Sequence, residues 1–352
     1  MDDESNRMTI GGRSVGGGAP SYVIAEAGAN HDRDLDVALR LIDVAAEAGA
    51  DAVKFQTYTG TDLYSRFTPK FEYLGALGAD SAAQLLDAIA LPREWQPRLA
   101  EHARDRGIQF FSSPFDRAAV DELDALDVPV FKVASFEIVD LEFVEYIGSK
   151  RRPMIISTGM ASLEEIDDAM TAARRGGATE FALLQCASLY PAPPATINLR
   201  AMATMRERFG VPVGLSDHSV GIHMASAAVA SGAELIEKHF TLDRGRTGPD
   251  HAFAIEPDEL IAMVRNIREV EAATGTGEKT GPTEAESVEM YRNARRSIVA
   301  AVAIAAGTPI TRAMLTVKRP GYGIAPKDID AVVGRIAARA IDADEVVTWD
   351  MV

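Results

Sequence analysis

Eight short apolar runs, each closing on a polar cluster and each followed by a stretch of helical periodicity, limit what this chain can fold into more than any other feature. They are YVIAEAG (22–28), DAVKFQT (51–57), IQFFSS (108–113), VPVFKVAS (128–135), PMIISTG (153–159), EFALLQC (180–186), VPVGLSD (211–217) and AELIEKHF (233–240). Near-continuous apolar runs of this length suit strands buried on both faces. The amphipathic stretches between them, such as LDVALRLIDVAAEAG and LEEIDDAMTAARRGG, supply covering helices. Strands alternating with helices pair in parallel, and eight such units over about 250 residues predict an α/β fold of the (β/α)8 TIM barrel type. A doubly wound sheet is the alternative. It would use fewer strands and open on a GxGxxG turn, whereas the first turn here reads AEAGANH.

The pattern also sets boundaries. GGRSVGGG at 11–18 reads as a turn or short hairpin ahead of the barrel. The helical period ends near residue 273, and TGTGEKTGPTEAE (274–286) has the composition of a linker. From Arg295 onward short β-like runs (SIVAAVAI, EVVTW) alternate with turns. The expected organisation is a hairpin and catalytic barrel over 1–273, a linker over 274–294 and a small domain over 295–352, suited to a lid or interaction module.

Composition narrows the partners. A net charge of −16 argues against nucleic acid and anionic membranes, which call for a basic surface. No apolar run reaches the roughly 18 residues of a membrane span. The single cysteine, Cys186, rules out a disulfide framework within one chain, and the opening MDDESNRMTI lacks the marks of a signal peptide; a cytoplasmic location is expected.

In a barrel, polar residues at the C-terminal strand ends face the active site. Those ends carry Glu26, Asn30 and His31; Lys54 and Gln56; Ser112 and Ser113; Lys132, Ser135 and Glu137; Ser157 and Thr158; Gln185, Ser188 and Tyr190; Ser216, Asp217, His218 and Ser219; Glu237, Lys238 and His239. Taken singly, each histidine is as well suited to capping a strand as to binding a ligand. His218 and His239, on adjacent strands, favour a site for Mn²⁺, Fe²⁺, Co²⁺ or Zn²⁺. Lys54, Lys132 and Lys238 lie inside apolar runs, where an unpaired charge costs several kcal/mol. Either each has a buried carboxylate partner, or they converge on an anion with hydroxyls from the SSPFD and STGM turns. A Schiff-base lysine is a third option. Glu26 and Glu137 could act as general base or orient water, with salt bridges to the lysines as the plain alternative. Asp250, in a glycine-proline loop, could reach a sugar hydroxyl.

The series IAEAGANH, GADAVKFQTYT, FFSSPFD, FKVAS, ISTGM, LLQCASLYPAPP, VGLSDHS and ELIEKHFTLDR resembles the sialic acid (N-acetylneuraminate) synthase family, and RRSIVAAVAIAAGTPIT…KRPGYGI resembles its antifreeze-like (SAF) domain. The resemblance covers nearly the whole chain, in order. It implies a C–C bond-forming transferase that condenses phosphoenolpyruvate with an N-acetylated hexosamine such as N-acetylmannosamine, releasing phosphate. It implies a divalent metal, usually Mn²⁺ with Mg²⁺ or Co²⁺ as substitutes, and a domain-swapped homodimer in which the small domain of one chain closes the barrel mouth of the other. By motif, His218 and His239 resemble the metal ligands. Lys132, Ser113, Ser135, Ser157, Ser188 and Ser216 resemble the phosphoenolpyruvate cradle. Lys54, Gln56, Tyr190 and Asp250, with Tyr291 and Arg319 from the small domain, resemble the sugar contacts, and Glu26 and Glu137 the catalytic carboxylates.

One departure bears on the acceptor. Many N-acetylneuraminate synthases carry asparagine in a CTNxYP turn, where this chain has CASLYP with Ser188. Legionaminic, pseudaminic and other nonulosonic acid synthases therefore stay open, as does another phosphoenolpyruvate–aldose synthase acting on a phosphorylated sugar. Of other kinds are a non-catalytic sugar-binding protein of the same fold and a metal-dependent lyase, which would release no phosphate.

Overall fold

The computed structural model describes residues 6–65, 67–68 and 81–352. The chain divides into two compact units, Met1–Gly275 and Thr276–Val352.

The first unit opens with a hairpin of β1 (Arg7–Ile10) and β2 (Arg13–Gly16), paired antiparallel with Met8 opposite Val15. Its apolar face, Met8, Ile10 and Val15, joins the main core. Thr9 N donates to Glu180 and Asn6 Nδ2 to Glu234, the residues just before two barrel strands, so the hairpin closes the N-terminal end of the barrel.

Each of the eight apolar runs forms one strand, with β5 reaching one residue past its run: β3 (Tyr22–Glu26), β4 (Ala52–Thr57), β5 (Gln109–Pro114), β6 (Phe131–Val133), β7 (Met154–Ser157), β8 (Phe181–Cys186), β9 (Val213–Asp217) and β10 (Leu235–His239). They pair in parallel in the order β5-β4-β3-β10-β9-β8-β7-β6, and the two end strands, β5 and β6, lie against each other. The result is a nearly closed (β/α)8 barrel. Its helices start where the sequence offers caps. The Asp34 side chain accepts from the backbone of Asp36 and Val37 at the head of Leu35–Glu47. Ser162 and Glu165 form a reciprocal capping box on Leu163–Gly176, which ends on Gly177 in the left-handed region at φ 116°. Each helix turns an apolar stripe inward; Leu41, Ile42 and Ala45 are fully buried on the first.

The second unit has its own small core of Ile298, Ile310, Leu315, Val332, Ile341 and Val347. Its longest pairing joins β11 (Ser297–Ala300) to β12 (Leu315–Lys318). Isolated bridges tie Val299 to Val346 and Ile304 to Ile341. The stretch read as a linker carries helical turns at Glu284–Glu286 and Ser287–Ala294. Among the described residues no helix is long and apolar enough to cross a membrane.

Candidate active site at the C-terminal mouth of the barrel

The period of two along each strand decides which polar side chains enter the barrel. On β10, Glu237 and His239 face a cavity of about 400 Å³ at the C-terminal end, while Lys238 between them faces the helix layer. Ser216 on β9 faces the cavity and Asp217 does not. Lys54 and Gln56 on β4 point inward together, as do Ser113 on β5, Lys132 on β6, Ser157 on β7 and Cys186 on β8.

These side chains form one buried network. Lys54 Nζ lies 2.7 Å from Glu26 Oε2 and 3.6 Å from Glu237 Oε2, and donates to Ser113 Oγ at 3.2 Å. Lys132 Nζ donates to Ser157 Oγ at 2.7 Å and lies 3.9 Å from Glu237 Oε1. Ser216 Oγ donates to Glu237 Oε1 at 2.7 Å, and Gln56 Nε2 to Glu26 Oε1 at 2.8 Å. Glu237 thus sits between two ammonium groups. Burial would raise its pKa, but Lys132 and Lys54 outweigh burial and hold it below the usual carboxylate range. Burial dominates at Glu26 and raises it despite Lys54. Burial likewise lowers Lys132, with Glu237 opposing and Lys54 adding to the fall. Glu137, just past β6, is pushed up by burial to about 7, and its Oε2 has no hydrogen-bond partner among the described residues.

The two histidines share the same cavity, with ring centroids 5.4 Å apart. His218 Nδ1 is 3.0 Å from the Ala187 carbonyl and 3.7 Å from Cys186 Sγ, which leaves Nε2 for the cavity. Burial disfavours a charged His218, while Cys186 and the Ala187 carbonyl outweigh it and raise its pKa. Burial, with the His218 and Lys54 charges, drives the pKa of His239 well down, which keeps its imidazole neutral. Its buried Nδ1 has no hydrogen-bond partner among the described residues, and Asp250 Oδ2 is 3.5 Å away. No cluster of three or more His, Cys, Asp and Glu suited to a metal occurs among the described residues. His218 and His239 are the two imidazoles in the cavity that could hold a cation.

Of the residues singled out in the sequence, Glu26, Lys54, Gln56, Ser113, Lys132, Ser135, Glu137, Ser157, Tyr190, Ser216, His218, His239 and Asp250 all line this cavity. Ser188 is not in its wall; its buried Oγ has no partner among the described residues and faces Gly159, where an added Cβ would meet it at 2.2 Å. Tyr291 and Arg319 belong to the second unit, where the Arg295 guanidinium lies over the Tyr291 ring at 4.6 Å. Other polar residues of the expected rim, His31 and Lys238 among them, serve structure instead, as does His251 in the loop beyond β10. His31 packs buried against Phe55 and Trp95, and burial lowers its pKa to about 4. His251 bridges Thr241 and Asp32. Lys238 pairs with Asp217, so two lysines converge in the cavity, not three. Glu237 was visible at a strand end, but the sequence assigned it no role. Its alternation with His239 in LIEKH was the signal that both share a face.

Residues 41–279 match the NeuB family and residues 295–352 match the SAF domain. The chain is 38% identical over 352 residues to the N,N'-diacetyllegionaminic acid synthase of Legionella pneumophila, with 98% of each chain covered. It is 36% identical over 351 residues to the N-acetylneuraminate-9-phosphate synthase of Homo sapiens, covering 97% of this chain and 95% of that one. The crystal structure of N-acetylneuraminic acid (sialic acid) synthetase from Leptospira borgpetersenii, in complex with citrate, matches with a TM-score of 0.72 at 36% identity, over 81% of this chain and 95% of that chain.

Proposed function

The chain belongs to the NeuB family, and from that premise we propose that it condenses phosphoenolpyruvate with an N-acetylated hexosamine, N-acetylmannosamine or a related amino sugar, to give a nonulosonic acid and phosphate. The observation that carries this reading is the convergence of Lys54, Lys132 and four serine hydroxyls with two imidazoles on a single cavity. Ammonium and hydroxyl donors suit a phosphate and a carboxylate; the imidazoles suit a cation beside them.

A divalent cation on His218 and His239, Mn²⁺ first and Mg²⁺ or Co²⁺ as substitutes, would polarise the sugar aldehyde as a Lewis acid when bound. Lys132, Ser113, Ser135, Ser157 and Ser216 hold the phosphate and carboxylate of phosphoenolpyruvate, and Lys54, Gln56, Tyr190 and Asp250 hold the sugar. C3 of phosphoenolpyruvate then bonds to the aldehyde carbon. Water adds at C2 under the guidance of Glu26 or Glu137, and the tetrahedral centre collapses with C–O cleavage and loss of phosphate. Burial keeps both carboxyls close to neutral pH in their proton affinity, which suits them to pass a proton in either direction. The same reading makes the protein a cytoplasmic homodimer, with Arg319 and Tyr291 of one chain reaching the sugar in the barrel of the other.

A phosphorylated acceptor is the second reading. Among the described residues lining the cavity no arginine occurs, and Lys54 and Lys132 both lie near carboxylates, which favours a neutral sugar. The test is incubation with phosphoenolpyruvate, Mn²⁺ and a panel of N-acetylmannosamine, its 6-phosphate and diacetamido hexoses, reading phosphate release and product mass. Phosphate release with one neutral sugar is expected. No release with any sugar, or pyruvate formed without phosphate, overturns the proposal.

A further inference from the structure

We propose that Asp217 and Lys238, a pair buried behind the barrel wall, are positioning residues that set the two histidines opposite each other; this rests on the metal site of the reading above. Lys238 is partnered with Asp217 across the parallel register of β9 and β10. The residue that follows each in the chain is a histidine of the cavity, His218 just past the end of β9 and His239 on β10. Side chains alternate, so a contact fixed on the outer face fixes where the neighbouring residues emerge on the inner face.

The contact is specific. Both side chains are 0% exposed, with Lys238 Nζ donating to Asp217 Oδ2 at 2.8 Å. The same ammonium donates to the Ser219 carbonyl. Asp217 Oδ1 accepts from Ser219 N at 2.9 Å and from Ser219 Oγ at 2.7 Å. One ammonium thus grips the residue before His218 and the residue after it, while its own backbone leads directly into His239. Every polar atom of the carboxylate is used, so the turn carrying His218 has little freedom to shift.

Stability is a weak reason for such a pair, since burying two charges costs about as much as their attraction returns, and apolar replacements of similar volume are often neutral. Neither side chain touches the cavity, so direct contact with substrate is no explanation either. Orientation of ligands is what remains, and outer partners of metal ligands commonly alter metal affinity ten- to a hundredfold.

The experiment compares wild type with the double variant Asp217→Asn/Lys238→Met. The amide still accepts from Ser219, and methionine fills the lysine stem without a charge. Ile236→Val, an outward-facing core truncation two residues earlier on β10, is the control for packing alone. Mn²⁺ affinity is read by the EPR signal of free ion, and the site's geometry by the visible spectrum of bound Co²⁺. The expected result is a dissociation constant raised about ten- to a hundredfold in the double variant with an altered Co²⁺ spectrum, and neither change in Ile236→Val. Should the double variant not fold, Asp217→Asn alone, with the same heavy-atom count, is read in the same way. Unchanged affinity and spectrum in the pair variant overturn the inference, as does equal weakening in Ile236→Val. A wild-type protein that binds neither ion stoichiometrically overturns the metal reading itself, and this inference with it.

Discussion

Glu137→Gln separates a carboxyl held for chemistry from one held for stability. The Glu137 side chain is largely buried, its Oε2 lacks a partner among the described residues, and burial raises its pKa from 4.5 to about 7. Below 4.5 the group is protonated in both folded and unfolded chains and contributes nothing. Between 4.5 and about 7 the unfolded chain ionises while the folded one keeps its proton, so rising pH favours unfolding until the folded group ionises too. The full gap corresponds to about 3 kcal/mol at about 1.36 kcal/mol per pH unit. Residual water contact and relaxation around Lys132 reduce that to roughly 1.5–3 kcal/mol. Unfolding a unit that ends at Gly275, at about 2.1 cal/mol/K per residue, turns this into about 2–5 °C in Tm. Glutamine keeps the shape and removes the titration. Melting curves at matched scan rates should show the Tm difference, variant minus wild type, growing by about 2–5 °C between pH 5 and pH 8. Condensation activity should fall with it. A difference that is flat with pH, or that grows in favour of wild type, would refute the assignment of a buried, proton-retaining carboxyl.

Four other substitutions probe separate parts of the site. His218→Ala or His239→Ala should lose bound Mn²⁺ and activity together; a metal-free double variant with full phosphate release would sink the mechanism. Lys132→Met removes the donor to Ser157 and one of the two cations beside Glu237, and should raise KM for phosphoenolpyruvate about ten- to a hundredfold, the roughly 1.5–3 kcal/mol of a charged hydrogen bond; an unchanged KM would contradict the cradle. Gly28→Ala forces a side chain into the left-handed region at φ 50°, at a cost of about 1–2 kcal/mol. Its Cβ would also stand 2.7 Å from Asp250 Oδ2 and 3.3 Å from the His239 ring. Turnover should drop at least about tenfold by these energies, with the fold retained, and wild-type turnover would show that Asp250 and His239 can move freely.

Much of the architecture is legible in the chain because it rests on local pattern. An apolar run followed by a helical repeat buries its surface in one way, and AEAGANH lacks the glycines of a dinucleotide turn. Caps at Asp34 and Ser162 are readable for the same reason, since their hydrogen bonds span three residues or fewer. The site is readable only as a set of candidates. Lys54, Lys132 and Lys238 look alike in AVKFQ, VFKVA and IEKHF, and all three histidines of the expected rim follow an apolar run.

The sequence by itself determined the eightfold alternation, and with it a barrel whose mouth collects the polar strand ends. Tertiary structure decided which of those ends meet. It put Lys54 and Lys132 around Glu237 and sent Lys238 outward to Asp217. It kept His218 and His239 in the cavity and buried His31 against Phe55 and Trp95. The reason is geometric. A strand's residues alternate faces every step, but which face is the inside depends on closure of the whole sheet, and a buried charge takes its role from partners tens to hundreds of positions away in the chain.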